Sequence, residues 1–420
     1  MRVIVWGINY SPEVTGIAPF NRSLCDFLQA AGDDVRMVTS FAYYPHWRKT
    51  PADSSRLVRT DVVAGVPVYR VWHYVPARVT TARRMLHELS FAISSTLRIL
   101  FLPRAEVYVV VSPPLLLGPC AWLVTRLKRS QYVFHVQDLQ PDAALGLGLV
   151  RLGVFAGFLY RLEAWAYRDA SGVSGISRGM LQAFERKGVP AKRRWYFPNG
   201  IELEQRAVAA GAVATFRRQH GVASEALLAV YAGNIGKKQG LEILIEAAKV
   251  LSRLSVGEFE ARAEVVIMII GDGVERAALA AAVARANMMN VKLLPLLADE
   301  DYRVALAATD VALITQAAGT GQYFFPSKLL TVLAAGRPVV TVADADSELA
   351  QAVVAGGFGR NVPPGDGAAL AEVLRALATE RAVLADWAER AWAWVQPFSR
   401  ERVLADYVQQ LRAITLPESK

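Results

Sequence analysis

The stretches Val3-Ile4-Val5-Trp6-Gly7 and Leu228-Ala229-Val230-Tyr231-Ala232-Gly233 begin the two halves of the chain with the same pattern. Each is a short apolar run that ends at a glycine, which is typical of a buried strand leading into a loop. Helical patterns follow at Phe20–Ala31, which Gly32 is placed to end, and at Gly240–Leu254. The sequence therefore predicts that a strand–loop–helix unit opens each half.

The alternation of strand and helix patterns continues through both halves, which is typical of parallel sheets with helices on both faces. A Pro/Asn/Gly cluster at Phe197–Gly200 predicts the boundary between two domains, residues 1–198 and 199–395, with a closing segment at 396–420. Ligands bind at the carboxyl ends of strands in such sheets. Further strands are predicted at Val35–Thr39, Val66–Trp72, Val107–Val111, Tyr132–Val136, Ser171–Gly175, Val265–Ile270, Val291–Leu294, Val311–Ile314 and Val339–Val342, and further helices at Glu275–Asn287, Tyr302–Ala308, Ser327–Ala335 and Ala368–Thr379.

Composition predicts a globular protein with two large cores. The chain has 420 residues, of which 53% are hydrophobic and 20% are charged. Cys25 and Cys120 lie far apart in apolar surroundings, which indicates core thiols rather than a disulfide or a metal site. The charge-free stretch Val107–Thr125 contains Pro113 and Pro114, which would interrupt a membrane-spanning helix. We therefore expect a cytoplasmic protein.

Positive charge is concentrated in the first half. The formal net charge is +9, and the excess lies in residues 1–200, because the remainder contains slightly more acidic than basic side chains. This asymmetry indicates an anionic partner such as a membrane surface or phosphates, or else an arginine-rich solvated surface, and both interpretations stay open. No zinc-type Cys/His spacing, Ser/His/Asp elbow or RNA-binding signature is present. We expect no metal, no cofactor and no nucleic-acid partner.

Three loops combine glycine with helix starts or lysines. In Asn9–Ile17, Gly16 would let a phosphate approach the start of the next helix, although a merely structural loop is the alternative, which the segment taken alone favours. In Tyr231–Glu242, Gly233 opens backbone donors and Lys238 can neutralise a diphosphate, whereas the alternative is a solvated turn. The absence of a G-x-G-x-x-G fingerprint argues against a dinucleotide oxidoreductase.

The third loop lies at Phe325–Leu330, where Ser327 and Lys328 begin a predicted helix. A basic residue in the first helical turn opposes the helix dipole, and a bound phosphate would explain its presence. The preceding Ala318–Gln322 is a candidate sugar-binding loop. This pattern predicts an anion site at the start of the helix.

Two further segments have both a functional and a structural interpretation. His135 and Asp138 come at the end of a strand in the first domain, where they could contact a substrate, although a structural histidine is the alternative. In Thr81–Phe101, apolar residues recur at helical spacing among arginines. Such a helix could lie in a membrane interface or pack its apolar stripe on the core.

Taken in order, these segments resemble glycosyltransferase family 4, in its WcaI-like branch of exopolysaccharide and colanic acid synthesis. The resemblance covers essentially the whole chain. It implies the GT-B architecture, with two Rossmann-like doubly wound domains that face each other across a cleft and a C-terminal helix that returns to the first domain. The motifs that carry it are Gly7–Gly16, Tyr43–Pro45, His135–Asp142, Pro198–Ile201, Gly233–Glu242, Gly271–Gly273, Pro326–Lys328 and Gln396–Ser399.

The resemblance also implies roles for individual residues. Lys238 would stabilise the departing diphosphate, and Asn234 stands where many relatives carry arginine. His135 and Asp138 are candidates on the acceptor or sugar face. The implied donor-binding residues are Gly16, Gly233, Gly271, Gly273, Gly319, Thr320, Gly321, Ser327, Lys328 and Thr331. One departure is that Tyr323 and Thr331 stand where many relatives have two glutamates, which removes expected contacts to the sugar or ribose.

The implied activity is retaining, metal-independent transfer of a hexosyl or deoxyhexosyl group from a nucleoside-diphosphate sugar. The implied acceptor is a polyprenyl-diphosphate-linked sugar or a saccharide, and fucose is suggested as the transferred sugar. The resemblance also implies peripheral contact with the inner face of the cytoplasmic membrane. Two alternatives are a sugar-nucleotide epimerase of the same architecture and a non-catalytic nucleotide-sugar binding protein.

Overall fold

A computed structural model describes residues 1–146, 153–203, 208–254, 264–321 and 328–415. The chain divides into two units, Met1–Gly200 together with Glu401–Lys420, and Ile201–Arg400. Each unit is built around its own sheet. The first unit therefore contains residues from both ends of the chain, and the last helix is grouped with residues 1–200.

The first unit has an eight-stranded sheet in the order β3-β4-β2-β1-β5-β6-β7-β8. All neighbouring strands are parallel except β3 and β4, which form an antiparallel pair. The chain first adds β2 on one side of β1, and it later returns to add β5 on the other side. The loops that follow β1 and β5 therefore diverge and leave a crevice between them. The strands are β1 (Arg2–Trp6), β2 (Asp34–Ser40), β3 (Val58–Val63), β4 (Val66–Val71), β5 (Val107–Ser112), β6 (Gln131–Val136), β7 (Gly172–Gly175) and β8 (Arg194–Tyr196).

Both faces of this sheet are covered, which explains why its central strands are apolar at nearly every position. Successive side chains of a strand point to opposite faces, so Val3 and Val5 enter one core while Ile4 and Trp6 enter the other. The helices of the unit that precede the boundary are α1 (Ala18–Ala30), α2 (Thr81–Leu100), α3 (Leu117–Lys128), α4 (Gln140–Gly146), α5 (Val154–Arg168) and α6 (Arg178–Arg186).

The second unit has a six-stranded, fully parallel sheet in the order β11-β10-β9-β12-β13-β14. In terms of strand sequence this is the 3-2-1-4-5-6 order of a dinucleotide-binding sheet, with the reversal between β9 and β12. Its helices are α7 (Ala210–Gln219), α8 (Glu242–Leu254), α9 (Arg276–Arg285), α10 (Asp299–Ala308), α11 (Lys328–Ala334), α12 (Glu348–Gly356), α13 (Gly367–Thr379) and α14 (Ala382–Val395), and its strands are β9 (Leu227–Ala232), β10 (Val265–Ile270), β11 (Val291–Leu294), β12 (Val311–Thr315), β13 (Val339–Val342) and β14 (Gly359–Val362).

The last helix, α15 (Arg400–Thr415), packs on the first unit. Its apolar face joins the core formed by β1, β2 and β5, and the Tyr407 ring stacks on Phe197 at 3.7 Å. Gln131 Nε2 donates to the Ile414 carbonyl at 2.6 Å, and Arg412 pairs with Asp33 at 3.0 Å. The predicted fold class is confirmed, including the return of the C-terminal helix to the first domain.

All of the predicted strands are present, but the sequence analysis missed β3, β8 and β14. Strand β3 exposes Val58 and Val62 to solvent at the edge of the sheet, so it lacks an apolar run. Strands β8 and β14 have only three and four residues and carry polar side chains, which weakens the strand pattern. Both cysteines are free thiols, as expected. Among the described helices, none is long and apolar enough to cross a membrane.

Candidate active site

Three predicted segments of the second unit meet at the carboxyl edge of its sheet, beside the reversal of strand order. The N–H of Gly233, after β9, donates to the Ile270 carbonyl at 2.8 Å. The N–H of Ile235 donates to the Asp272 carbonyl, also at 2.8 Å. The Ala317 N–H, after β12, donates to the carbonyl of Lys238 at 2.8 Å. The loops after β9, β10 and β12 thus form one backbone-bonded cluster.

Glycine is required where the loops after β9 and β10 touch. A Cβ atom at Gly271 would lie 1.8 Å from the Gly233 carbonyl oxygen, and one at Gly273 would lie 2.3 Å from the Ile235 carbonyl oxygen. Backbone cannot move aside as a flexible side chain can, so any larger residue would separate the loops. Two predicted donor-binding glycines, Gly271 and Gly273, therefore have a packing reason to be glycine.

Lys328 projects from the start of α11 into this cluster. Its Nζ donates to the Tyr231 hydroxyl at 3.2 Å and lies 4.8 Å from the centre of the Tyr231 ring. A Cβ at Gly233 would lie 1.7 Å from the same ammonium. Burial lowers the pKa of Lys328 to about 8. In the part of the chain that the structure describes, no carboxylate lies within ion-pair distance of this ammonium, so its charge is incompletely compensated.

Tyr231 was not singled out from the sequence, although it holds the cluster together. Its hydroxyl accepts from Lys328 and donates to the Asn234 carbonyl at 2.6 Å. Burial raises the pKa of Tyr231, so the hydroxyl stays protonated and available as a donor. The only signal in the sequence was its position two residues before Gly233.

Lys238 and Asn234 lie on the exposed side of the loop after β9. Lys238 belongs to a 3-10 turn, Lys237–Gln239, which Gly240 ends with a φ of 58°. The Asn234 side chain lies 3.4 Å from Gln239 Oε1. Both predicted polar groups are therefore carried by backbone that the neighbouring loops fix, while their side chains reach solvent.

The candidate sugar-binding loop follows β12. The Gly319 N–H donates to Asp344 Oδ2 at 2.7 Å, and the Thr320 hydroxyl donates to the Ala317 carbonyl at 2.7 Å. Gly321 is buried, and a Cβ there would lie 2.5 Å from Ser347 Cβ. The described part of the loop is thus held by hydrogen bonds at Gly319 and Thr320 and is closely packed at Gly321, whereas Gln322 lies outside the described residues.

Two remaining predictions for this unit concern the region of α11. Thr331 is half-buried one turn after Lys328. Ser327 and Tyr323 lie outside the described residues. Among the residues that are described, no group of three or more His, Cys, Asp or Glu side chains is arranged to hold a metal ion.

In the first unit, the loop after β1 is fixed by a buried glutamate. Glu13 Oε1 accepts from the N–H groups of Tyr43 and Tyr44, both at 2.8 Å, and Glu13 Oε2 accepts from Asn9 Nδ2 at 2.8 Å. Gly16 follows with a φ of 65°, exposed, and a Cβ there would lie 3.6 Å from the Tyr44 ring. Glu13 therefore ties the loops after β1 and β2 together, and Gly16 presents backbone to solvent just before α1.

His135 is a buried member of a hydrogen-bond network. Its ring is 3% exposed and lies 4.9 Å from the Phe197 ring. Gln137 Nε2 donates to Nε2 at 2.8 Å, so the proton lies on Nδ1, which donates to the Ser174 hydroxyl at 2.9 Å. Burial lowers the pKa of His135 to about 3. This environment favours the structural alternative, because both ring nitrogens are occupied.

Asp138 is the exposed candidate on the same strand end. The preceding Gln137 forms a reciprocal amide pair with Asn199, at 3.0 and 3.2 Å. This pair was not predicted from the sequence, since the two residues are 62 positions apart. It connects the end of β6 to the segment after β8 and so fixes the backbone that carries Asp138.

Helix α2 does not pack its apolar stripe on the core. Leu86, Leu89, Ile93 and Leu97 are all exposed. The buried face instead carries Phe91 and Ile99, together with His87, whose Nδ1 donates to the Tyr74 carbonyl at 2.6 Å. The core-facing interpretation of this stripe is therefore wrong.

Comparison with known proteins agrees with this architecture. Residues 15–200 match the family of glycosyl transferase 4-like domains, and residues 226–380 match the glycosyl transferases group 1. The chain is 34% identical over 358 residues to WcaI of Escherichia coli strain K12, whose name describes a glycosyl transferase of colanic acid biosynthesis, with 84% of this chain and 85% of that protein covered.

Two solved structures share the fold at low sequence identity. Sucrose-phosphate synthase from Thermosynechococcus elongatus superposes with a TM-score of 0.72 at 18% identity, covering 98% of both chains. Anabaena HepE superposes with a TM-score of 0.70 at 18% identity, covering 98% of this chain and all of the other. The chain therefore belongs to glycosyltransferase family 4, in its WcaI-like branch, and is a glycosyltransferase of polysaccharide synthesis with the GT-B fold.

Proposed function

We propose that the chain transfers a hexosyl or deoxyhexosyl group from a nucleoside-diphosphate sugar, with retention at the anomeric carbon and without a metal. The observation that carries this proposal is the half-buried Lys328 ammonium, which lies beside Tyr231 at the strand-order reversal of the second unit. HepE, which shares the fold, has been solved in complex with UDP and with UDP-glucose. Nucleoside diphosphates are therefore the first ligands to test.

A diphosphate would satisfy the groups assembled here. Removing an ammonium from water is unfavourable unless a counter-charge is present, and a bound diphosphate would supply one for Lys328. Gly233, Gly271 and Gly273 remain proposed donor-binding residues by resemblance. Their N–H groups already donate to Ile270, Leu294 and Asp272, so their role would be to hold the loops in place around Lys328. Lys238 lies on the adjacent exposed turn. Ser327 remains a proposed contact by its place before Lys328 in the chain.

In the proposed reaction, the bond between the anomeric carbon and the diphosphate breaks as the acceptor oxygen bonds to that carbon on the same face. The acceptor proton passes to the departing phosphate oxygen. Lys328 and Lys238 stabilise the negative charge that grows on the diphosphate, which takes the place of a metal ion. Gly16 would face donor phosphates and Asp138 would meet the acceptor or sugar, whereas His135 would position the strand end that carries Asp138.

The proposed acceptor is a polyprenyl-diphosphate-linked sugar, or a saccharide, at the inner face of the cytoplasmic membrane. Fucose remains the first sugar to test, with GDP-fucose as donor. Asn234 and Thr331 are proposed to contact the donor where many relatives carry an arginine and a glutamate. The proposed sugar-binding loop is Ala318–Gln322, within which the Gly319 N–H is held by Asp344 and Gly321 packs closely against Ser347.

The first experiment is thermal stabilisation by UDP, GDP and other nucleoside diphosphates, followed by turnover with the sugar donor of the stabilising base. Lys238→Ala should lower the turnover number at least about a hundredfold, since it removes charge from the leaving group. Lys237→Ala, in the same turn, is the matched control and should retain near-normal turnover. Turnover should also survive a metal chelator.

Three results would contradict the proposal. Near-normal transfer by Lys238→Ala would exclude its role in leaving-group stabilisation. Donor consumption without any acceptor would indicate an epimerase. Binding of a nucleoside diphosphate without turnover on any lipid-linked or saccharide acceptor would indicate a binding protein.

A further inference from the structure

Strand β3 differs from the other edge strands of the two sheets. Strands β8, β11 and β14 have only three or four residues, and each carries an arginine or a lysine. Short length and basic side chains discourage a further strand from adding to an edge. Strand β3 has six residues, and the side chains on its outer face, Val58, Thr60 and Val62, are exposed, uncharged and β-branched. Among the described strands, β3 is therefore the edge least protected against pairing.

The backbone of β3 offers hydrogen bonds along its outer edge. The Trp72 N–H donates to the Leu57 carbonyl at 2.8 Å, so these two residues form a hydrogen-bonded pair at the start of the antiparallel ladder with β4. Hydrogen-bonded pairs alternate with non-hydrogen-bonded pairs in such a ladder. Val58, Thr60 and Val62 therefore turn their N–H and C=O groups away from β4, and no other described strand lies beside them.

The residues of β3 are complementary to a second copy of the same strand. If two copies run antiparallel about a two-fold axis at Thr60, each Val58 lies opposite the Val62 of the other copy. The outward N–H and C=O groups of the two strands then meet, as a hydrogen-bonded ladder requires. Each Arg59 lies opposite an Asp61 in this register, whereas an axis at either of these residues would oppose like charges. One register is therefore favoured over its neighbours.

The charged face of β3 can accept the second copy without losing its own ion pairs. Arg59 pairs within the chain with Asp53 and with Asp61, and the Arg59 Nε lies 2.8 Å from Asp61 Oδ1. The side chains of Arg59 and Asp61 are still 28% and 26% exposed. A second copy would therefore extend this network. On the other face, Val58 and Val62 are 58% and 70% exposed, so their mutual contact would remove apolar surface from water.

We propose that β3 pairs with β3 of a second copy, so that the sheets of two first units join into one continuous sheet in a two-fold dimer. Main-chain hydrogen bonds supply the contact, and the alternate side chains set its register. One strand pair buries less than the roughly 800 Å² per partner of a standard interface, so we expect a dimer that dissociates at micromolar concentrations. The inference goes beyond the proposed function, because no proposed donor or acceptor residue takes part in the contact.

Sedimentation velocity of the full chain over a range of concentrations measures the dimer. The dimer fraction should rise with protein concentration. Val58→Lys combined with Val62→Lys opposes like charges at two places and should weaken dimerisation at least about tenfold. Val58→Lys combined with Val62→Asp opposes a lysine to an aspartate at the same two places, so it should dimerise at least about fivefold more tightly than the double-lysine variant.

A control variant separates the strand from added charge in general. Met289→Lys combined with Val354→Lys adds the same charge at two side chains of the second unit that are 76% and 75% exposed. It should dimerise as the unchanged protein does. All the substituted side chains are exposed, so the melting temperatures of the three variants, measured on the monomers, should stay close to that of the unchanged protein.

A thiol crosslink measures the position of the axis. Thr60→Cys places two thiols at the axis, where opposed Cα atoms would be about 5.5 Å apart, so a short bis-maleimide should join the copies. Val62→Cys is the matched control, because its two copies would lie about 14 Å apart in this register and should crosslink far less. The unchanged protein, with buried Cys25 and half-buried Cys120, gives the background.

Four outcomes would overturn the inference. The unchanged protein would stay monomeric up to about 100 µM, well above the expected dissociation constant. The lysine–aspartate variant would dimerise as weakly as the double-lysine variant, which would exclude this register. The control variant would lose the dimer to the same extent as the double-lysine variant. Alternatively, Val62→Cys would crosslink as efficiently as Thr60→Cys, which would place the contact elsewhere.

Discussion

Nucleoside diphosphates should bind more weakly as the pH rises past the pKa of Lys328. The ammonium lies 3.2 Å from the Tyr231 hydroxyl, and burial lowers its pKa to about 8. A bound diphosphate stabilises the protonated form and raises this pKa. Above about pH 8 the free protein has lost the proton that the complex needs, so binding takes up a proton and loses affinity with increasing pH.

The size of this effect follows from the fraction of charged Lys328. With a pKa of about 8, roughly nine-tenths of the side chain is protonated at about pH 7 and roughly one-tenth at about pH 9. The affinity should therefore fall about tenfold over this range, or about 1.4 kcal/mol. The terminal phosphate has a pKa of about 6 and is mostly ionised throughout, so its own titration opposes the effect only slightly.

Isothermal titration calorimetry with the stabilising nucleoside diphosphate measures this dependence. Lys328→Arg keeps its charge across the range and should bind with little dependence on pH. Lys328→Met should bind weakly at every pH. The reasoning would be refuted by an affinity of the unchanged protein that stays constant from about pH 7 to about pH 9, or by an equally steep fall in Lys328→Arg.

Three predictions concern stability. Burial lowers the pKa of His135 to about 3, so the unfolded chain takes up a proton on this residue before the folded chain does. The free energy of unfolding should therefore fall by about 1.4 kcal/mol per pH unit as the pH drops from about 6.5 towards about 3. In denaturant titrations His135→Gln should show a weaker dependence on pH, and an equal dependence would contradict the assignment. Gly271→Ala should destabilise the protein by about 2 kcal/mol or more, since its Cβ would lie 1.8 Å from a carbonyl oxygen. The control Gly211→Ala has open space around it and should be neutral or stabilising. Equal melting temperatures of the two variants in calorimetry would refute this prediction. Tyr407→Ala should lower the free energy of unfolding by about 3–5 kcal/mol, because its ring is buried in the first unit. In the same chemical denaturation, replacing the exposed Gln409 by alanine should change it little. Similar losses of stability in both variants would show that α15 does not brace that unit.

Local pattern was sufficient for the architecture. A run such as Val107–Val111 is apolar at every position because both faces of its strand are covered, and a glycine such as Gly233 marks where the chain leaves the sheet. The order of the motifs along the chain then indicated the family. The edge strands β3 and β14 were missed because many of their side chains face solvent and they lack that apolar pattern.

The periodicity of α2 shows the limit of local information. Helical spacing identified the stripe that contains Leu86 and Leu97, but the same spacing is produced by a stripe that faces the core and by one that faces outward. Only the packed structure shows that the opposite face of α2 contacts the sheet. The fold, and not the periodicity, therefore decides that this stripe is exposed.

The sequence by itself determined the two sheets, the glycine-ended strands and the polar residues that follow them, because each of these depends on neighbours along the chain. Tertiary structure decided what those residues touch. Lys328 meets Tyr231 across 97 positions, and His135 lies in a network that reaches Tyr407 through Ser174. Such contacts depend on strand order and on which helix covers which face. They place Lys328 at the carboxyl edge of the second sheet and His135 in the interior, a distinction that residue type alone cannot make.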